Sequence, residues 1–224
     1  VEVTGNVSRG HNGGGILNYV GCTMTINDSV ISNNSINGES VDNSVYDGGG
    51  AGIYNSGTMA INNSTISGNQ FTGQITQKGY GAGVYNSGTM TLEKNLVANN
   101  GYGNSIVSIT GAGIWTGGSS GDLTMINSSV VGNFGPPANS NGGGIYNGNT
   151  MTLINNTFAE NVANYGSAIY NGFDESATCN IKNTIAVGSL NAPDELDVVL
   201  FRGTVNSGGY NIFGDIWNYS TYLG

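Results

Sequence analysis

One short unit recurs along this chain, and the recurrence constrains the fold more than any other feature of the sequence. Gly50–Asn69 reads GAGIYNSGTMAINNSTISGN, and Gly81–Asn100 reads GAGVYNSGTMTLEKNLVANN. Further copies begin at Gly13, Gly111, Gly142 and Gly166. The spacing between equivalent residues varies from 24 to 37 residues. A constant unit with variable spacing is typical of stacked repeats whose identical coils are interrupted by loops of different length.

Within a copy, the apolar residues recur with a period of two. Ile53, Met59 and Ile61 alternate with polar or aromatic residues, and Gly, Asn and Ser separate the short apolar stretches. This pattern predicts short β-strands with one buried face. Three such strands cannot form an isolated sheet, but they can form one coil of a β-solenoid, paired in parallel with the coils above and below. The sequence therefore predicts an all-β parallel β-helix with about six to eight coils, three short strands per coil and variable loops mostly at one corner.

If the copies stack in register, equivalent residues form columns. The first predicted interior column is Ile16, Ile53, Val84, Ile114, Ile145 and Ile169. The second is Met24, Met59, Met90, Leu123, Met151 and Cys179. A corner column contains Asn34, Asn69, Asn100, Asn133 and Asn161. We expect the side-chain amides of these asparagines to hydrogen-bond along the stack and to tolerate left-handed backbone.

The chain divides into three parts of a single predicted domain. Residues 1–12 form a partial first coil, residues 13–189 the six repeats, and residues 190–224 a terminal coil with an aromatic tail. The tail could cap its own solenoid or be donated to a neighbouring subunit, so we expect head-to-tail or lateral self-association. The tail residues proposed for assembly are Ile212, Phe213, Ile216, Trp217, Tyr219 and Tyr222.

Composition excludes several classes of partner. Charged residues make up 8% of the chain, and five Lys+Arg stand against fourteen Asp+Glu, for a net charge of −9. Nucleic-acid binding needs a cluster of cations, so it is not expected. No apolar run of about 18 residues occurs, so no membrane insertion is expected either. Cys22 and Cys179 lie in distant copies, beyond disulfide reach, and we expect both to be small buried side chains, with a bond between subunits as the alternative.

The pattern GG[AG]IYN…G…MTIxNSxIxxN resembles the repeats of bacterial polymorphic outer membrane proteins. Phe158-Ala159-Glu160-Asn161 matches the FxxN element of those repeats, and Ile31–Asn34 and Ile66–Asn69 are aliphatic versions of it. The segment Gly203–Asp215 resembles the end of the β-helix in choice-of-anchor surface proteins. The resemblance implies a right-handed parallel β-helix in a secreted, extracellular or cell-surface protein. It supplies no catalytic residues, since such proteins are mainly adhesins or envelope structures.

An enzymatic β-helix is the alternative that the sequence must be tested against. Uronate lyases need a basic proton acceptor, usually with Asp clusters that hold calcium, and glycoside hydrolysis needs carboxyl groups about 5–9 Å apart. In the aligned strands and corners the acidic residues stand singly: Asp28, Glu93, Asp122 and Glu160. The acidic groups in loops, which could bind calcium weakly, are Asp42/Asp47, Asp174/Glu175 and Asp194/Glu195/Asp197. We therefore expect no catalytic site, and no cofactor or metal site beyond this weak calcium alternative.

Two surfaces are candidate binding sites. The first is an aromatic stripe that alternation places on the outer side of the first strand, namely Tyr54, Tyr85, Trp115, Tyr146 and Tyr170. It is interpreted either as a structural ladder over neighbouring glycines or as a surface for glycans or other subunits. The second is the loop face, with Tyr46, Phe71, Tyr80, Tyr102 and Phe134. The sequence thus predicts a non-enzymatic extracellular protein for adhesion, surface structure or fibre assembly; the alternative is a carbohydrate-binding or polysaccharide-degrading β-helix.

Overall fold

The chain forms a parallel β-helix, as the repeat predicts. The computed structural model describes residues 1–9, 12–38, 48–72, 78–103, 108–136, 138–172, 176–187, 197–200 and 203–218. Three long sheets run through this part of the chain, and in each of them neighbouring strands come from successive coils. Within the described ranges, seven coils contribute a strand to each of the three sheets. This number agrees with the predicted six to eight coils.

The three long sheets are named here in the order in which a coil passes through them. The first sheet contains Ile16–Asn18, Ile53–Asn55, Val84–Asn86, Ile114–Thr116, Ile145–Asn147, Ile169–Asn171, Val198–Leu200 and Ile216–Asn218. The second contains Thr23–Asn27, Thr58–Asn62, Thr89–Glu93, Asp122–Ile126, Thr150–Ile154, Thr178–Lys182 and Thr204–Ser207. The third contains Glu2–Thr4, Val30–Ser32, Thr65–Ser67, Leu96–Ala98, Ser129–Val131, Thr157–Ala159, Ile185–Val187 and Ile212–Phe213.

The register of the sheets confirms both predicted interior columns. Ile53 pairs with Ile16 on one side and with Val84 on the other. Met59 pairs in the same way with Met24 and Met90. These side chains belong to one continuous apolar cluster between the three sheets, and most of its members are completely buried. Burial of this apolar surface is the main favourable term in the stability of the fold.

The predicted asparagine ladder is confirmed, and it is buried. Asn69 Nδ2 donates to Asn100 Oδ1 at 2.9 Å, and Asn100 Nδ2 donates to Asn133 Oδ1 at 2.9 Å. The same Asn100 oxygen accepts the backbone N–H of Asn69 at 3.0 Å. Two further ladders were not predicted. One passes through Asn18, Asn55 and Asn86, and the other through Ser64, Asn95 and Ser128.

We predicted that the ladder asparagine could have left-handed backbone, but the residue just before it has this conformation instead. Asn99 has φ 55°, whereas Asn100 is absent from the positive-φ residues. In the same coil, Gly81 before the first sheet and Lys94 after the second have φ 59° and 57°, whereas Ser87 and Gly88, between the first and second sheets, are absent from the positive-φ residues. Gly and Asn adopt this conformation at the lowest cost, which accounts for much of their abundance in the chain.

The prediction of three strands per coil is incomplete, because the insertions add two short sheets. The fourth sheet contains Val7–Arg9, Ser35–Asn37, Gln70–Thr72 and Gly101–Tyr102. The fifth contains Gly48–Gly49, Lys78–Tyr80, Ser108–Thr110 and Ser140–Asn141. Both follow the corner predicted for the variable loops. Between them lies a second apolar core of Ile36, Ala51, Phe71, Ala82, Ile109 and Ala112, with Tyr102 packed against it.

The described part of the tail completes the solenoid of its own chain. Ile212 and Phe213 pair with Ile185 and Ala186, and Ile216–Asn218 pairs with Val198–Leu200. Ile212 and Ile216 are exposed, Phe213 is half-buried, and Tyr219 and Tyr222 lie outside the described residues. Self-association through the tail stays a prediction. Among the described residues, no helix has the length and apolar character needed to cross a membrane.

The two cysteines differ in environment. Cys179 is buried in the core, as predicted, and burial raises the pKa of its thiol to about 12. Cys22 is exposed, so the prediction of a buried side chain was wrong for this residue. It lies immediately before the strand Thr23–Asn27, and its backbone oxygen accepts the N–H of Thr58.

Candidate ligand-binding cleft

The five predicted stripe residues form one continuous stack of rings. Because their strands pair in register, each ring lies above the ring of the preceding coil. The ring centroids of Tyr54 and Tyr85 are 4.5 Å apart, and those of Tyr85 and Trp115 are 4.4 Å apart. The stack continues from Tyr146 to Tyr170 with a centroid distance of 5.3 Å. Burial, together with the neighbouring Tyr54, raises the pKa of the Tyr85 phenol to about 12.

The rings stack on one another, but they do not cover the glycines that were expected beneath them. Gly52 lies against the asparagine ladder instead, since a Cβ atom at this position would be 2.8 Å from Asn69 Nδ2. The glycines next to the rings are Gly49, Gly117 and Gly148. A Cβ atom at Gly117 would be 2.8 Å from the Trp115 ring, so this close approach requires glycine.

The fourth copy of the repeat departs from the others at the stripe. Trp115 replaces the tyrosine of the second, third, fifth and sixth copies, and Thr116 replaces the asparagine that follows it. The connection to the second sheet is three residues longer than in the neighbouring copies and contains the 3-10 helix Gly118–Ser120. Asn86 still donates to Thr116 Oγ1 at 3.1 Å, but Thr116 donates to the Gly121 carbonyl and not to the next coil. The ladder of Asn55 and Asn86 is therefore interrupted at this coil.

The aromatic stack is most open at this same coil. Trp115 and Tyr146 are nearly parallel, with an interplanar angle of 6°, but their centroids are 6.4 Å apart. Neighbouring strands lie about 4.8 Å apart, so the two rings must be displaced sideways by about 4 Å. In the tighter pairs the rings cover one another. Between Trp115 and Tyr146 the displacement leaves part of each ring face uncovered.

A cleft of about 360 Å³ lies beside these two rings. Its other wall comes from the fifth sheet, where Tyr80, Thr110 and Asn141 occupy one register row. Tyr80 also meets the edge of Trp115, with a centroid distance of 5.6 Å and an interplanar angle of 66°. The lining residues are Lys78, Tyr80, Thr110, Trp115, Gly117, Gly118, Asn141, Tyr146 and Gly148. A cleft of this size with aromatic walls and a few polar groups is typical of small-molecule and sugar sites.

The electrostatics of the cleft differ from those of the chain as a whole. Its described lining residues include one cation, Lys78, and no Asp, Glu or His. The side chain of Lys78 is exposed, and no described carboxylate forms an ion pair with it. Trp115 Nε1 is buried without a hydrogen-bond acceptor among the described residues, so stacking rather than hydrogen bonding holds the indole in place.

Some residues of the two predicted surfaces, the aromatic stripe and the loop face, do not reach the cleft. Phe71 is completely buried in the second core, and Tyr170 is 4% exposed, so neither side chain is available to a ligand and their assignment as binding residues was wrong. Tyr102 and Phe134 form a tilted pair of rings 5.6 Å apart, away from the fifth sheet. Tyr46 lies outside the described residues. Of the described residues of the predicted loop face, only Tyr80 joins the stripe residues at the cleft.

Lys78, Thr110 and Asn141 were not predicted as site residues. Nothing in their local sequence marks them, because the insertions share no motif. The signal available in the sequence was the irregularity of the fourth copy, where several departures from the repeat coincide. The second, third and fifth coils share one pattern at this position, so the coil between them that departs from it is the place to look for a site.

The acidic residues of the described chain form no cluster large enough for a metal site. No group of three or more His, Cys, Asp or Glu side chains lies together in the described ranges. Most of the loop carboxylates considered for calcium lie outside those ranges: Asp42, Asp47, Asp174, Glu175, Asp194 and Glu195. Asp197 is described and buried, and its Oδ2 accepts the backbone N–H of Asp215 at 3.3 Å.

A second cavity, of about 260 Å³, lies within the last described coils. Its walls are core residues such as Ile169, Val198 and Phe213, and Ser207 is its only polar residue among those described. It therefore offers little with which to orient a polar ligand.

Comparison of the chain with known protein families, characterised proteins and solved structures finds no significant match.

Proposed function

We propose that this chain is a non-enzymatic extracellular β-helix that binds glycans through the cleft beside Trp115 and so serves in adhesion. The observation that supports the proposal best is the coincidence of the irregular coil, the open part of the aromatic stack and the polar wall of Thr110 and Asn141. Aromatic faces pack against the C–H groups of sugar rings, and amide and hydroxyl groups bind the sugar hydroxyls.

The structure of the rest of the chain suits a scaffold for such a site. Buried side-chain ladders connect successive coils, and the apolar core is continuous through them. A cleft supported by such sheets needs little rearrangement to bind, which lowers the entropic cost of association. The acidic chain with scattered cations and the resemblance of its repeats to bacterial surface proteins support an extracellular location.

The alternative is a polysaccharide lyase or hydrolase. Both reactions need a group that transfers a proton near the scissile bond. Lys78 is the only basic side chain in the described lining of the cleft, and no described carboxyl group lies there to act with it. The composition of the cleft favours binding over cleavage.

The test is a glycan-binding screen with the full chain and two cleft variants. We expect Trp115→Ala to abolish binding and Asn141→Ala to weaken it, because the first removes an aromatic wall and the second a polar contact. Leu96→Ala, an exposed residue on the third sheet, is the control and should bind like the original protein. Circular dichroism establishes that each variant is folded.

Two results would contradict the proposal. Folded Trp115→Ala protein that binds the same glycans with the same affinity would show that the cleft is not the site. New reducing ends or unsaturated products, released from a polysaccharide by the purified chain, would show that the protein is an enzyme.

A further inference from the structure

We infer that the cleft selects acidic saccharides, in which a sugar ring carries a carboxylate or a sulfate ester. The inference rests on the proposed function and adds the chemical class of the ligand. It depends on the placement of Lys78 relative to the aromatic and polar walls of the cleft.

The fifth sheet directs Lys78 and Tyr80 to the same side. Residues two apart on a strand share a face, and Gly79 between them faces the second core, where a Cβ atom would be 2.7 Å from the Phe71 ring. Tyr80 in turn contacts the edge of Trp115. Lys78 therefore stands on the cleft side of the sheet, next to the aromatic wall and in the same strand as one of its members.

The charge of Lys78 is not neutralised by a described neighbour. No described carboxylate pairs with it, and none lines the cleft. By contrast, Lys94 on the opposite side of the coil lies 3.4 Å from Glu93. In a chain with net charge −9, an ammonium group that has no ion-pair partner among the described residues, in a cleft whose described lining contains no carboxylate, gives that cleft a preference for anions.

The aromatic walls restrict which anions suit the cleft. A free inorganic anion would leave the uncovered faces of Trp115 and Tyr146 in water, whereas a sugar ring covers them. In such a complex a pyranose ring packs against the indole. Its anionic group lies toward Lys78 and its hydroxyls toward Thr110 and Asn141, so the aromatic, cationic and polar groups of the cleft each contact the sugar. This arrangement is the reason to assign an acidic sugar and not a simple anion or a neutral sugar.

The experiment compares three oligosaccharides of equal length by isothermal titration calorimetry with the full chain. They are oligogalacturonides, neutral galacto-oligosaccharides and sulfated galacto-oligosaccharides. We expect at least one acidic ligand to bind about tenfold more tightly than the neutral one, since a charge-assisted hydrogen bond contributes about that much to affinity. This advantage should diminish as salt is added.

The decisive variant is Lys78→Met, which keeps the aliphatic stem and removes the charge. It should lose the preference for acidic ligands and keep the affinity for the neutral one. Lys94→Met removes a lysine away from the cleft and should keep the preference. The ligand whose binding depends on Lys78 identifies the anion: oligogalacturonides a carboxylate, sulfated oligosaccharides a sulfate ester.

The outcomes separate this inference from the proposed function. If the original protein binds neutral and acidic ligands equally, or if Lys78→Met keeps the preference, the inference is wrong, while Trp115-dependent binding would still support a glycan-binding cleft. If no saccharide binds at all, the proposed function fails, and the inference fails with it.

Discussion

At the scale of single residues, the corners of the coil show why this sequence is so rich in Gly and Asn. The corners after the second and third sheets each contain one residue with left-handed backbone, followed by a buried residue that hydrogen-bonds to a neighbouring coil. At the corner after the third sheet, the left-handed position is occupied by Gly68 and Gly132 in two coils and by Glu160 in another. For a residue with a Cβ atom, this conformation costs roughly 1–2 kcal/mol.

Glu160→Gly should therefore stabilise the protein by about 1 kcal/mol, because glycine has no Cβ atom to clash with the backbone at a φ of 55°. Urea unfolding followed by circular dichroism measures the change. The matched control is Glu93→Gly, at the paired last residue of the strand Thr89–Glu93, which should destabilise by about 0.5–1 kcal/mol. Equal or lower stability of the Glu160 variant would contradict the assignment of strain to this corner.

At the scale of strands and sheets, the difference between what was predicted and what was missed has a physical cause. Ile53, Val84 and Ile145 could be assigned to one interior column because the same apolar period occurs in every copy. The second core could not be predicted, because Phe71 and Ile109 lie in insertions that share neither length nor motif. These residues come together only because strands of successive insertions pair with one another, which forms the fourth sheet and the fifth sheet.

Phe71 gives a direct test of the second core. Phe71→Ala should lower the free energy of unfolding by about 3–5 kcal/mol, because it leaves a cavity at a completely buried position. Thr72→Ala in the same strand, where the side chain is half-buried, is the control and should have a small effect. A small effect of Phe71→Ala in the same urea titration would mean that the insertions contribute little to stability.

The cleft was predicted only in part for the same reason. The stripe residues follow from the repeat, because each occupies the same position in its copy. The other wall belongs to the fifth sheet, and the wide spacing of Trp115 and Tyr146 occurs in the coil with the longer connection after Thr116. Periodicity predicts what the coils share, whereas a binding site here depends on how one coil differs.

At the scale of the whole molecule, stability depends on interactions between neighbouring coils, as in other solenoids. Each coil shares its core with the coil above and the coil below, and in most described coils the asparagine ladders cross the same boundaries. The interior contains almost no charge. Among the described groups with a raised pKa are a thiol and a phenol, Cys179 and Tyr85, and both affect stability at alkaline pH.

Stability should fall as the pH rises above about 9. The Cys179 thiol ionises near its usual pKa of 9.0 in the unfolded chain but only near 12 in the folded protein, so between these values the unfolded state has released a proton that the folded state keeps. The resulting loss is about 2 kcal/mol at pH 10.5, and Tyr85 adds a smaller loss above pH 10. Urea unfolding at pH 8 and pH 10.5 measures it. Cys179→Val should reduce the dependence on pH, and an unchanged slope in this variant would contradict it.

The stack of rings from Tyr54 to Tyr170 has an optical consequence. Light absorbed by the tyrosines passes efficiently to an indole at such short distances, so Trp115 should dominate the fluorescence of the stack. Trp115 also lines the cleft, so a bound molecule that displaces water from the indole should shift the emission to shorter wavelength. In a Trp217→Phe variant Trp115 is the only tryptophan, so its emission wavelength would report ligand binding in the cleft without an added label.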